Sequence, residues 1–391
     1  MTRVYLDYNA TAPLRPEARA IMHAALGSVG NASSVHAEGR RARGLIEAAR
    51  TEVARLVGAD PRRVTFTSGG TEANNTVLTP VWALNGKPHP IDILLIAATE
   101  HVSVLEGGGF TPDQIRQVPV DAEGILDLTI LKQMLAGLAG TQARLMVSVM
   151  LANNETGAIQ PITEIARLAH AAGALVHTDA VQAAGRIPID IGALGVDVLT
   201  LSAHKIGGPQ GAGAIVRAGD AWTFAPLTVG GGQEKRLRAG TENVAAIAGF
   251  GAAANAAIAD LGRSAEWARW RDGIAAIVAG DRKVGGKTAI FSDGTDRLPQ
   301  TLCFAVPGLS AETLLIALDL AGVSVSSGSA CSSGKVSASH VLAAMGVPAS
   351  LARCAIRVSL GWDSRESDLD SFATAWRGVL DHVAPEEIQA A

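Results

Sequence analysis

The residues of this chain that can do covalent chemistry stand at the ends of apolar runs. Lys205 closes the segment VDVLTLSAHK, residues 196–205, whose apolar and β-branched start reads as a buried strand that stops at Ser202 and His204. Gly207, Gly208, Gly211 and Gly213 follow, so backbone there can approach a bulky ligand without Cβ clashes. A lysine presented in this way forms an imine with an aldehyde once its amine is uncharged. Asp179 and Gln182 follow a second apolar run in HTDAVQ, His101 a third in ATEH, and Asn154 a fourth in NNETG. After a fifth, FTSGGTE turns straight into a helix opened by Gly70 and Thr71. Free N–H groups and the positive end of the helix dipole make that turn a phosphate site.

The chain has three cysteines. Cys303 lies in LCFAV and Cys354 beside Ala355 and Ile356, apolar settings in which a cysteine is a small buried hydrophobe. Cys331 sits in SSGSACSSG, small residues that cannot pack a core and that read as a mobile loop, which makes it the nucleophile candidate. A free thiol has a pKa near about 8.5, so forming its thiolate needs help, and His101 is the candidate for that proton traffic. No CxxC spacing occurs, and neither a zinc site nor a disulfide framework is expected.

The elements that must position these residues alternate between strand and helix. Strands are expected at 64–67, 93–97, 145–150, 174–177 and 196–201, with helices opening at Pro16 and covering 36–57. This alternation is the mark of an α/β fold with a mainly parallel sheet and helices on both faces, and such sheets bind ligands outside the carboxyl ends of their strands. The large domain is expected over 16–255. A smaller α+β domain, made of 1–15 and 256–391, carries the Cys331 loop. In it a helix is read at 252–270, strands at 301–306 and 355–360, and a closing helix striped by Leu369, Phe372, Trp376, Val379 and Leu380.

Together the strand ends offer a lysine for an imine, a carboxylate for a pyridinium nitrogen, an aromatic ring for stacking and donors for a phosphate. Pyridoxal 5'-phosphate asks for that set. Asp179 would keep the ring nitrogen protonated, Gln182 would donate to the phenolate oxygen, and Gly70, Thr71, Ser202 and His204 complete the cofactor residues.

Composition narrows the classes further. Hydrophobic residues make up 48% and charged residues 18% of 391, with a net charge of -4, so there is no basic field for nucleic acid. The first residues, MTRVYLDYNATAP, lack the apolar core of a secretory signal, and no run approaches the roughly 20 apolar residues that span a bilayer. A cytoplasmic protein without membrane contact is expected. The run GDRKVGGKT at 280–288 misses the nucleotide-binding pattern because aspartate stands where its first glycine belongs.

The ordered motifs FTSGGTEANN (66–75), EH (100–101), NNETG (153–157), HTDAVQ (177–182), SAHKIGGPQGAG (202–213) and GGGQEKRLRAGTEN (230–243), with SSGSACSSG late in the chain, resemble the cysteine desulfurases of the class-V aminotransferase family. Ala32 departs from that pattern, where the family's loop commonly has proline. The resemblance covers nearly the whole chain. It implies a fold type I pyridoxal enzyme with a seven-stranded-type sheet, in which the N-terminal strand joins the small domain. It also implies a homodimer in which Thr241 reaches the phosphate of the partner subunit's cofactor, although Thr241 also suits a helix N-cap. Arg357 matches the arginine that grips the substrate carboxylate, with Asn154 helping. The implied reaction removes sulfur from L-cysteine, leaving L-alanine and a persulfide on Cys331 that passes to a sulfur acceptor or an iron-sulfur scaffold protein. The alternative is a selenocysteine lyase or another class-V pyridoxal enzyme.

Overall fold

The computed structural model describes residues 3–281, 283–284, 287–327 and 339–382. Seven strands form the central sheet: β1 (Val64–Thr67), β2 (Ile93–Ala97), β3 (Ile115–Val118), β4 (Leu145–Ser148), β5 (Leu175–Asp179), β6 (Val198–Ser202) and β7 (Gly213–Arg217). Their order is β1-β7-β6-β5-β4-β2-β3. All neighbours pair in parallel except β7, which runs antiparallel to both β1 and β6. β1, β4, β5, β6 and β7 are buried at every position, which is why their sequences read as unbroken apolar runs rather than as alternation. β3 and β7 are absent from the sequence expectation, since Ile115–Val118 has only one buried residue and Gly213–Arg217 follows a glycine-rich loop.

Helices cover both faces. α1 (Pro16–Leu26) and α2 (Ala37–Leu56) pack against α3 (Val244–Asp260), and a Cβ at Gly251 of α3 would fall 2.4 Å from Ala49 Cα, so glycine is what lets α2 and α3 come this close. The helix expected over 252–270 is instead two. α3 ends at Asp260, a 3₁₀ turn at Leu261–Arg263 containing Gly262 follows, and α4 runs Ser264–Gly280. The boundary expected at 255/256 falls inside α3, whose Ala257 still belongs to the core around the sheet. Val244–Gly280 is long and apolar enough to cross a membrane, but 56% of its most apolar window is buried in the protein, as in a core helix.

A second core gathers Trp267, Phe304, Phe372 and Trp376 beneath an antiparallel sheet of β8 (Ala289–Ile290), β9 (Thr301–Ala305), β11 (Ser326–Ser327) and β12 (Ala355–Ser359). The N-terminal strand Val4–Tyr5 pairs in parallel with β10 (Val323–Ser324). α5 (Ser367–His382) closes the second core, with Phe372, Trp376, Val379 and Leu380 buried as the stripe predicts. Cys303 and Cys354 are buried, and burial raises the Cys303 thiol far above its ordinary value, so both are core residues. Cys331 lies outside the described residues.

Candidate active site

A cavity of about 280 Å³ opens at the carboxyl ends of β4, β5 and β6. Lys205 enters it because β6 stops at Ser202 and a single 3₁₀ turn, Ala203–Lys205, swings the side chain over the sheet edge. Its Nζ donates to the carbonyl oxygens of Asn9 at 2.5 Å and Ala10 at 2.8 Å. The segment that supplies those carbonyls is tied to the smaller sheet through Asn9, whose amide donates to Thr301 Oγ1 at 2.9 Å.

Asp179, the last residue of β5, is 7% exposed and lies across the cavity floor. Its Oδ1 accepts from the Val181 backbone at 2.9 Å and its Oδ2 from Asn74 Nδ2 at 2.7 Å. Gln182, three residues on, donates to the Asn9 carbonyl at 3.1 Å. His101 caps the short helix Val102–Leu105, with Nδ1 accepting from the Ser103 backbone at 3.2 Å. Burial lowers its pKa below the ordinary histidine value; Asp179 opposes the shift, while Lys205 and His340 add to it. His204 meets Thr11 Oγ1 at 3.2 Å, and burial with Lys205 beside it pushes its pKa down to about 4.

The helix Gly70–Val77 aims its first turn at the same space. Gly213 of β7 lies under the preceding turn so closely that a Cβ there would stand 2.5 Å from the Gly69 carbonyl carbon. Gly70, Thr71, Ser202 and His204 line a hollow shared with the cavity; Glu72 lines it too, its carboxylate engaged by Ser68 N and Arg238.

At the other end Arg357 of β12 is 2% exposed, donating from Nη1 to the Asn154 carbonyl at 3.0 Å and from Nη2 to Asp7 Oδ1 at 2.8 Å. Arg357 Nε and Asn154 Oδ1 are buried without a hydrogen-bond partner among the described residues. Such orphaned atoms cost stability unless a ligand satisfies them.

Every predicted site residue except Thr241 and Cys331 lines this cavity. Thr241 lies in a separate hollow with Ser68, Gly211 and Arg238, and the N-cap of α3 is Asn243, whose side chain accepts from Ala246 N, so the capping role expected of Thr241 belongs to Asn243. The sequence reading missed Asn74, which lies three residues after Thr71 on the same face of its helix, and Asn9 and Asp7, which come from a distant part of the chain. Among the described residues no cluster of His, Cys, Asp and Glu could hold a metal ion.

The donor set fits pyridoxal 5'-phosphate: an amine at Lys205, a buried carboxylate at Asp179 for a protonated ring nitrogen, an imidazole at His101, and a helix N-terminus with Ser202 and His204 for a phosphate.

The aminotransferase class-V family model matches residues 4–372. The chain is similar to the cysteine desulfurase IscS of Dictyoglomus turgidum, 41% identical over 376 residues that cover 94% of this chain and 92% of that one. It is also similar to a cysteine desulfurase of Cereibacter sphaeroides, 40% identical over 98% of this chain and 97% of that one. Among solved structures, a NifS-like protein from Rickettsia africae superposes with a TM-score of 0.85 at 34% identity, covering 97% of this chain and 99% of that one.

Proposed function

The chain belongs to the class-V aminotransferase family, and from that premise we propose that it is a pyridoxal-phosphate-dependent cysteine desulfurase. The observation that carries the reading is the convergence of Lys205, Asp179, His101 and the orphaned Arg357 Nε on one cavity. Pyridoxal phosphate, when bound, supplies an aldehyde that condenses with amines and a ring that withdraws electrons from the α-carbon of an amino acid.

Lys205 would be the amine that holds it, and Lys205 Nζ would take and return a proton at the substrate. Asp179, its carboxylate held by Asn74 and Val181, would keep the ring nitrogen protonated. Gly70, Thr71, Ser202 and His204 would hold the phosphate, and Gln182 would donate to the phenolate oxygen. Arg357 takes the substrate carboxylate through the guanidinium edge that carries Nε, with Asn154 beside it.

Cys331 attacks the sulfur of bound L-cysteine. An S–S bond forms, the Cβ–S bond breaks, and its electron pair ends in a new Cβ–H bond, so that cysteine and a thiol give alanine and a persulfide. The persulfide sulfur then passes to an acceptor protein, in iron-sulfur cluster assembly or thiolation. The protein works as a cytoplasmic homodimer in which Thr241 contacts the phosphate held by the partner subunit; its position away from its own cavity accords with that role. The test is borohydride reduction of the cofactor-loaded protein followed by peptide mass analysis. A pyridoxyl group on Lys205 is expected, and a label on another lysine would overturn the assignment.

A further inference from the structure

We propose that a buried hydrogen-bond relay, Ser148–His177–Thr200–Asn74–Ser103, locks His101 in its neutral tautomer with the proton on Nε2, making His101 a hydrogen-bond donor to the cavity and not its general base.

The direction of each bond follows from one fixed point. The Asp179 carboxylate accepts hydrogen bonds only, so the Asn74 atom 2.7 Å from Oδ2 is the amide nitrogen. That nitrogen's second proton goes to Ser103 Oγ at 2.9 Å. Asn74 Oδ1 is then an acceptor and takes the Thr200 hydroxyl proton at 2.6 Å. Thr200 Oγ1, its one proton used, can only accept from His177 Nε2 at 3.2 Å, and His177 Nδ1 accepts from Ser148 Oγ at 2.8 Å. His177 is fully buried, and desolvation pushes its pKa down to about 3, which keeps it in the neutral form this pattern needs.

The other end of the relay reaches His101. The Ser103 backbone N–H donates to His101 Nδ1 at 3.2 Å, so that nitrogen presents its lone pair, and the Ser103 hydroxyl 2.8 Å from the same atom, accepting from Asn74, gives it its own proton. Two donors converge on one lone pair and leave no place for a proton there. Neutral His101 therefore carries its proton on Nε2, the nitrogen left for the cavity. Ser148, Thr200 and His177 are 0% exposed and Asn74 is 1% exposed, so no solvent is at hand to reverse the chain. The charged groups facing the ring are Asp179, Lys205 and His340, and with burial their net effect is against the imidazolium.

A ring with one nitrogen protonated and the other held by two donors has no site at which to accept a proton. The proton transfers at the substrate then fall to Lys205 Nζ, and His101 serves by donating from Nε2. Asn74 is the positioning residue, since it alone joins Asp179 to Ser103. The inference rests on the proposed cofactor site, but its test does not.

The experiment is two-bond ¹⁵N–¹H correlation on histidine-labelled protein without added cofactor at neutral pH, with His101 assigned by loss of its signals in His101→Gln. The expected pattern is a bare Nδ1 and a protonated Nε2. A protonated Nδ1, or an imidazolium, in the wild type would overturn the proposal. Asn74→Asp turns the donor to Ser103 into an acceptor and is expected to bring a proton onto His101 Nδ1, whereas Ser103→Thr keeps the hydroxyl and the wild-type pattern. An unchanged pattern in a folded Asn74→Asp protein would equally overturn it. Alanine formation from cysteine, measured separately, tells failure of this inference from failure of the desulfurase reading.

Discussion

Arg357 donates from Nη2 to Asp7 Oδ1 at 2.8 Å, so the guanidinium at the end of the cavity is held by a carboxylate from the far end of the chain. Asp7 balances a charge that is 2% exposed, while Arg357 Nε stays buried without a hydrogen-bond partner among the described residues, the atom proposed to meet a substrate carboxylate. Removing the charge with Asp7→Asn is expected to destabilise the protein by about 2 kcal/mol, as loss of a hydrogen bond to a charged group does. The measurement is the urea unfolding midpoint. Arg357→Lys keeps the charge and loses the planar fork, and a rise in KM for L-cysteine of about tenfold or more is expected, with kcat far less affected. An unchanged KM would remove Arg357 from substrate binding.

Stability against pH follows from the buried histidines and glutamates. The His177 pKa is pushed down to about 3 and that of His204 to about 4, so the unfolded chain binds these protons first, and stability falls as pH drops below about 6.5. Burial raises Glu155 to about 7 and holds Glu100 well above its ordinary value, so the folded protein takes up these protons first and gains stability between about pH 7 and 4.5. The two effects oppose each other down to about 4.5, and only the histidine effect remains below it. Urea midpoints against pH are expected to be shallow above that value and steep beneath it, and His177→Asn to soften the acid limb.

Trp376 is fully buried beside Phe304, at 5.7 Å, and Phe372, at 6.2 Å, yet its indole N–H has no hydrogen-bond partner among the described residues. Trp376→Ala is expected to cost about 3–5 kcal/mol through the cavity it leaves. Trp376→Phe removes an unsatisfied donor along with part of the ring, so its cost is expected to stay below about 1.5 kcal/mol. Urea unfolding of both variants checks the difference.

Thr241 lines a hollow apart from the cavity of its own chain, and its proposed role depends on the partner subunit. Lys205→Ala and Thr241→Ala homodimers are both expected to be impaired. Mixed dimers of the two are expected to regain about half of the wild-type rate, because one site then combines an intact lysine with an intact partner threonine. Failure of the mixture to complement would place Thr241 outside the partner's site.

Much of the cavity was legible because a parallel strand buried on both faces ends abruptly, and Asp179, Ser202 and Lys205 stand at those ends. Residues brought in from elsewhere left weaker signals. Asn74 is marked only by its helical spacing from Thr71, and Asn9 reaches the cavity, and Asp7 its Arg357, through a bridge between Asp7 and Ser359 on β12, a pairing across most of the chain. The break after Asp260 was read through as one helix because alanine-rich sequence flanks it on the near side and Gly262 alone marks the turn. Arg50 and Glu234 were likewise invisible: they pair at 2.7 Å and hold Glu234, Lys235 and Arg236 in left-handed conformations that sequence does not announce.

The central claim, that Cys331 takes sulfur from cysteine at the Lys205 site, is tested by alanine released from L-cysteine under reductant by the cofactor-loaded protein. Wild type, Cys331→Ala and Lys205→Ala are compared. Alanine is expected from the wild type, with a loss of at least about a thousandfold in each variant, the scale of removing a nucleophile or a proton-transfer group. Alanine released by Cys331→Ala at the wild-type rate would contradict that claim.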